Sequence, residues 1–268
     1  MITADFHMHT DFSGDSETAP QDMVLGAIAK GLKTICFTDH YDKDIYYDGA
    51  EEVLDIPRYF ETMRTLRDYY KSKIDVRIGI EIGLQPHLGG FYNQLCRSWP
   101  FDFVIGSVHA IQRQDLYDNK AFFTKHGDEE GYRIIFLEML EDIRATDGLD
   151  VLGHIDYMVR YGSHKAREYS YRKFAGEIDE ILRYLIENGK GIELNMSGFK
   201  YGLGFCHPHP DILKRYRELG GEIITIGADG HRPDHIAYDY YRVTEILEAC
   251  GFTYYTEFKE RKPIFKSL

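Results

Sequence analysis

Cysteine is scarce in this 268-residue chain: Cys36, Cys96, Cys206 and Cys250 are widely spaced and form no paired motif. That excludes a disulfide framework and a thiolate zinc site, and it fits a reducing compartment. No uncharged apolar run approaches the ~20 residues needed to span a bilayer, so no membrane partner is expected. The first strand-like run follows Met1 so directly that no signal peptide is read there, and a cytoplasmic location is expected. Positive charge is also short: 32 Lys and Arg stand against 44 Asp and Glu, a formal net charge of −12. Without a cationic run, nucleic acid is excluded as the main partner. Repeats, low-complexity tracts and shifts of composition are missing too, so one domain over residues 1–268 is expected, a length that α/β barrels occupy alone. Nothing in the chain bears on oligomeric state.

What is present is acid and histidine, 12 of the latter, together with 21 tyrosines. An acidic balance does not argue against a phosphorylated substrate, because two or three bound divalent cations would add about four to six positive charges locally.

Short β-branched apolar runs alternate with stretches of helical periodicity, the pattern of βαβ units and a largely parallel sheet. Strands are predicted at 2–6, 34–37, 76–80, 103–106, 151–153, 191–194 and 223–227, and helices at 21–30, 57–73, 130–146, 171–188, 210–219 and 240–249. Glycines such as Gly31 and Gly189 follow helix ends, where a left-handed cap is needed. The tail from Phe252 reads as a closing strand or hairpin. Alternation alone suits a doubly wound sheet or a barrel; in both, ligands bind outside the carboxyl ends of the strands.

Polar residues gather at those ends. The first strand runs out in His7-Met8-His9, two imidazoles that an extended backbone points to one side. The second ends in Asp39-His40 and the third in Glu81, a carboxylate inside an apolar run that is costly unless paired or bound to a cation. The fourth, fifth and seventh deliver His109, His154 with Asp156, and Asp229 with His231. Each histidine alone reads as an ordinary core or surface residue, but six of seven strands ending alike is a pattern one rim would explain. Nitrogen and carboxylate donors suit zinc, manganese or iron, with open positions for water, and Glu81 is the best candidate to bridge two ions.

These motifs, in this order and over nearly the whole chain, resemble the polymerase-and-histidinol-phosphatase (PHP) superfamily, and within it the stand-alone histidinol-phosphatases. The resemblance implies a distorted (β/α)7 barrel, TIM-like, with two to three divalent ions at the C-terminal ends of its strands. It implies His7, His9, Glu81 and Asp229 on a first metal, Glu81, His109 and His154 on a second, and Asp15, His40 and His231 on a third. Many superfamily members carry a histidine where Asp15 stands; a loop aspartate after glycine is otherwise most often a turn residue.

The activity implied is hydrolysis of a small phosphomonoester, L-histidinol phosphate, by a hydroxide bridging two metals. Arg160 is the first choice for the remaining phosphate oxygens, because guanidinium is a two-pronged donor. Lys200 is the second, and Asn195 is placed to orient substrate. The acid for the leaving alkoxide is Asp39, His231 or a metal-bound water. His87, His126, His164, His207, His209 and His235 match no motif and read as structural or rim residues, although His207-Pro208-His209-Pro210 could touch substrate. Tyr41, Tyr46 and Tyr47 are expected near the rim. Competing readings are a phosphatase or phosphodiesterase acting on another small phosphate ester, an amidohydrolase-type barrel, whose bridge is generally a lysine, and a non-catalytic metal site.

Overall fold

Seven strands form a parallel sheet in sequential order in the computed structural model, which describes residues 2–47, 50–117, 120–167 and 169–268. They are β1 (Ala4–Asp5), β2 (Thr34–Phe37), β3 (Asp75–Gly83), β4 (Phe103–Ser107), β5 (Val151–Leu152), β6 (Gly191–Asn195) and β7 (Ile224–Gly227). Each lies on or within two or three residues of a predicted strand. Their apolar residues are almost wholly buried, as strands covered on both faces must be.

The sheet nearly closes on itself. Phe6 N donates to Ile226 O at 2.9 Å, His9 N donates to Gly230 O at 2.8 Å, and Met8 bridges Gly230 in parallel. These contacts join the chain after β1 to β7 and the residues that follow it, so the fold is the expected (β/α)7 barrel rather than an open sheet.

The predicted helices surround it, at Pro20–Ala29, Ile56–Tyr70, Asp128–Ala145, Ala175–Glu187, Pro210–Glu218 and Val243–Ala249. Two begin with 3-10 turns, Tyr171–Phe174 and Tyr240–Arg242, that periodicity alone joins to the helix. Asp55 caps Ile56–Tyr70 by accepting from Arg58 N at 3.2 Å. Gly31 and Gly189 have φ of 80° and 66°, the left-handed caps expected of them.

Three of the larger elements were not expected. Gly89–Ser98 is helical although it opens on two glycines. A Cβ at Gly89 would collide with the Ala145 carbonyl, so close packing rather than a turn explains that residue. Lys120–His126 is a second extra helix. The third is a hairpin of His40–Tyr47 and Ala50–Glu52, whose first residues extend the barrel rim by pairing His40 with Glu81. Tyr41 is half-buried and Tyr46 exposed on this hairpin; the side chain of Tyr47 lies outside the described residues.

The tail is the expected hairpin, Tyr254–Lys259 with Lys262–Ser267. It covers the N-terminal ends of the strands: Phe258 packs on Phe103 with ring centroids 5.0 Å apart, and Arg261 Nε donates to Asp150 at 2.6 Å. One mouth is therefore closed, and the polar residues stand at the other.

Candidate metal centre

Glu81 is the centre of the open mouth. Its carboxylate is fully buried and its two oxygens face different imidazoles. Oε1 lies 2.9 Å from His154 Nε2 and 3.3 Å from His109 Nε2; Oε2 lies 3.0 Å from His40 Nδ1, 3.2 Å from His7 Nε2 and 3.5 Å from His9 Nε2. Asp229 closes one side, its Oδ1 3.6 Å from both His9 Nε2 and His231 Nδ1. Asp15 closes the outer side, with Oδ2 2.8 Å from His231 Nε2 and 3.7 Å from His40 Nε2. Every residue expected as a ligand is thus brought to one rim.

Charge follows from this crowding. Burial alone would raise the Glu81 carboxyl, but the charges of His7, His109 and His40 outweigh it and hold it well below the carboxylate range. Asp229 is held down in the same way, chiefly by His7 and Lys200 against its burial. Burial and the neighbouring His40 and His231 push His9 well below the usual imidazole range, leaving it a neutral ring with a lone pair to offer.

The donors fit divalent cations. His7 Nε2, His9 Nε2, His40 Nδ1 and Glu81 Oε2 are buried without a hydrogen-bond partner among the described residues, an expensive state for polar atoms that have no other use. Four sets of donor atoms here, His7 with His9 and Asp229, His7 with Glu81 and His154, His9 with His40 and His231, and His40 with Asp42 and His109, each lie within 4.8 Å of one another. The donors are nitrogen and carboxylate oxygen, and the four cysteines are buried as free thiols. That chemistry suits a hydrolytic zinc, manganese or iron site.

A second layer fixes these rings, and sequence reasoning missed it. Glu193 Oε1 lies 2.6 Å from His7 Nδ1, Asp42 Oδ2 lies 2.9 Å from His109 Nδ1, and Ser13 Oγ lies 3.2 Å from His9 Nδ1. Ser107 donates to Glu81 Oε1 at 2.6 Å. Such partners set the tautomer so that the other nitrogen points at the metal. Glu193 carried the same signal that marked Glu81, an acid inside the apolar run of β6, and could have been found by it.

Above the centre lies a cavity of about 580 Å3, within the range of small-ligand pockets. Arg160 lines it as expected, with Lys165 and the rings of Tyr117, Tyr157, Tyr161 and Tyr201. Four expectations need correction. Asp39 does not line the cavity: its buried Oδ1 accepts from Thr10 N, Thr10 Oγ1 and Ser13 Oγ, so it anchors the loop after β1 and is not placed as an acid. Asn195 is buried below the wall, where it donates to Glu193 Oε2 at 3.1 Å and accepts from Ser197 N at 2.9 Å. Lys200 donates to the Asp229 carbonyl at 2.8 Å and buttresses that residue instead of facing substrate. His207, too, is wholly buried and does not reach the cavity.

A seven-stranded barrel with imidazoles and carboxylates at its open mouth is the architecture of a metallohydrolase. The chain matches the PHP domain over residues 5–197 and belongs to the PHP domain family. A histidinol-phosphatase of Lactococcus lactis subsp. lactis (strain IL1403) is 34% identical over 252 residues, 94% of this chain and 93% of that protein. A probable histidinol-phosphatase of Clostridium acetobutylicum is 31% identical across 97% of this chain and 95% of its own. The crystal structure of a histidinol phosphate phosphatase from Lactococcus lactis, complexed with zinc, L-histidinol and phosphate, aligns over 98% of both chains with a TM-score of 0.90 and 33% identity.

Proposed function

We propose that this chain is a metal-dependent histidinol-phosphatase, which hydrolyses L-histidinol phosphate to L-histidinol and inorganic phosphate. The observation that carries the reading is the Glu81 carboxylate, buried between two groups of imidazoles with one oxygen toward each. A glutamate in that place, where amidohydrolase-type barrels generally carry lysine, supports the phosphatase. Near-complete coverage of the phosphatases by this chain supports the substrate.

His7, His9, Glu81 and Asp229 would hold one cation, Glu81, His109 and His154 a second, and Asp15, His40 and His231 a third. Zinc is favoured by the related complex, with manganese and iron compatible with the donors. Bound divalent cations supply a lowered water pKa and neutralise charge on the phosphoryl oxygens.

The chain's own groups do the rest. Arg160 supplies a guanidinium at the cavity wall for phosphate oxygens turned away from the cations. The tyrosine rings on the same wall provide flat aromatic surface for the imidazole of the substrate. With Asp39 turned into the loop and His231 among the donors, the departing alkoxide takes its proton from solvent in the open cavity.

The test is phosphate release from L-histidinol phosphate by protein of known metal content, before and after chelation. Turnover that vanishes with the chelator and returns with zinc or manganese is expected. Preferential turnover of bis(p-nitrophenyl) phosphate would reject the substrate.

A further inference from the structure

The Arg160 guanidinium is clamped on all but one edge. Its faces lie against two rings, with Cζ 4.6 Å from the centroid of Tyr157 and 4.1 Å from that of Tyr201. Nη2 donates to Ser197 Oγ and lies 3.6 Å from Asp229 Oδ2. Nε donates to His207 Nε2 at 3.1 Å. Nη1 has no hydrogen-bond partner among the described residues, and the side chain lines the cavity.

The contact with His207 has a strict proton requirement. An arginine Nε–H can only donate, so His207 Nε2 must present its lone pair, and the imidazole proton must sit on Nδ1. Asp156 enforces that arrangement: its Oδ1 lies 2.5 Å from His207 Nδ1, while its Oδ2 accepts from His209 N at 2.7 Å. Asp156 and His207 are both fully buried, and the backbone of His207 is pinned to the end of β6 by paired bonds with Asn195 at 2.7 and 2.8 Å. An aspartate that orients a neutral histidine and a histidine that orients an arginine form a chain of single direction.

We propose that His207, held in one tautomer by Asp156, is a positioning residue that fixes Arg160 with its free edge toward the phosphoryl group of the substrate. The inference rests on the reading of Arg160 as a phosphate donor. Its physical value is preorganisation: a long side chain already immobile loses little freedom when phosphate arrives. Two histidine-region features left over from the motifs, His207 and the Asp156 that follows His154, acquire a role in this way.

The experiment measures inhibition by inorganic phosphate, with KM and kcat for L-histidinol phosphate, in Arg160→Ala, His207→Ala, His207→Gln, Asp156→Asn and the Arg160→Ala/His207→Ala double variant. Metal content and thermal melts are followed in each. In Asp156→Asn the amide oxygen stays with His209 N–H, so the NH2 faces His207 Nδ1; the ring proton moves to Nε2 and confronts the Arg160 donor. Phosphate inhibition is expected to weaken about ten- to hundredfold in Arg160→Ala, and by most of that in Asp156→Asn and His207→Ala. His207→Gln, which keeps an acceptor for Arg160, is expected to recover much of the loss. The double variant should be no worse than Arg160→Ala, because His207 acts only through the arginine. Should His207→Ala not fold, Asp156→Asn and His207→Gln decide alone. Full loss in Arg160→Ala with unchanged phosphate inhibition in Asp156→Asn, or multiplicative losses in the double variant, would overturn the positioning role alone. Unchanged phosphate inhibition in Arg160→Ala would remove the premise, and the proposal with it.

Discussion

Asp42 Oδ2 lies 2.9 Å from Nδ1 of His109, and the far nitrogen of the same ring lies 3.3 Å from Glu81. The carboxylate therefore accepts a hydrogen bond from Nδ1–H and turns the Nε2 lone pair toward the centre. Glu193 does the same for His7 from the opposite side of the barrel. Replacement of either, as Asp42→Ala or Glu193→Gln, is expected to weaken metal binding about 10- to 100-fold with little change in fold. Chelator titration followed by elemental analysis measures it, and unaltered affinity in both variants would refute the orienting role.

Gly227 makes the Glu193–His7 contact possible. A Cβ at this position would fall inside contact distance of Glu193 Oε1 and of the His7 Cβ. Gly227→Ala is therefore expected to separate the pair, lowering metal occupancy at least about tenfold and stability by about 1–3 kcal/mol. Thermal melts with and without added zinc separate the two effects: excess metal should recover part of the stability.

Removal of the cations should also be visible in the melting temperature. Buried donors such as Glu81 Oε2 and His9 Nε2 have no hydrogen-bond partner among the described residues. A ligand held at 100 times its Kd contributes about 2.7 kcal/mol, which for a chain of this size is a shift of about 5–10 °C. Scanning calorimetry of chelated and metal-loaded protein reads this directly; coincident transitions would argue against a folded-state cation site.

Asp142 supplies a pH dependence far from the centre. It is fully buried in the helix Asp128–Ala145, and neither carboxylate oxygen has a hydrogen-bond partner among the described residues. Burial, with Glu138 and Glu141 nearby, pushes its carboxyl up to about 8 from 3.8. Between those values the folded state keeps a proton that the unfolded chain releases, so this group makes stability fall as pH rises from about 4 to about 8 and stay level above. Asp142→Asn, neutral throughout, is expected to remove that slope and to be more stable than wild type by about 1–3 kcal/mol at pH 8. Denaturant midpoints of both proteins at pH 5 and pH 8 check it; parallel profiles would exclude a buried titrating acid.

The barrel strands and most helices were legible because their signals are local: an apolar β-branched run between turn residues, or a helical stripe ended by a residue such as Gly31. The elements that were missed lack such signals. Gly89–Ser98 begins with the residue type least favoured in helices, and His40–Tyr47 has charges where a strand would show apolar alternation. At the site, Glu81 was legible because a lone acid in an apolar strand needs a cation. Asp39 misled for a related reason: its place beside His40 suggested the pocket, whereas its buried oxygen serves Thr10 and Ser13.

From the residues alone came the alternation of strand and helix, the strand ends that carry imidazole and carboxylate, and the kind of ion those donors suit. Only the tertiary structure decided which side chains stand behind them: Glu193 and His7 are 186 positions apart, Asp42 and His109 67, Arg160 and His207 47. Donor type is a property of one residue and can be read in place. Orientation is a property of a contact, and barrel closure creates those contacts between segments that share no local pattern.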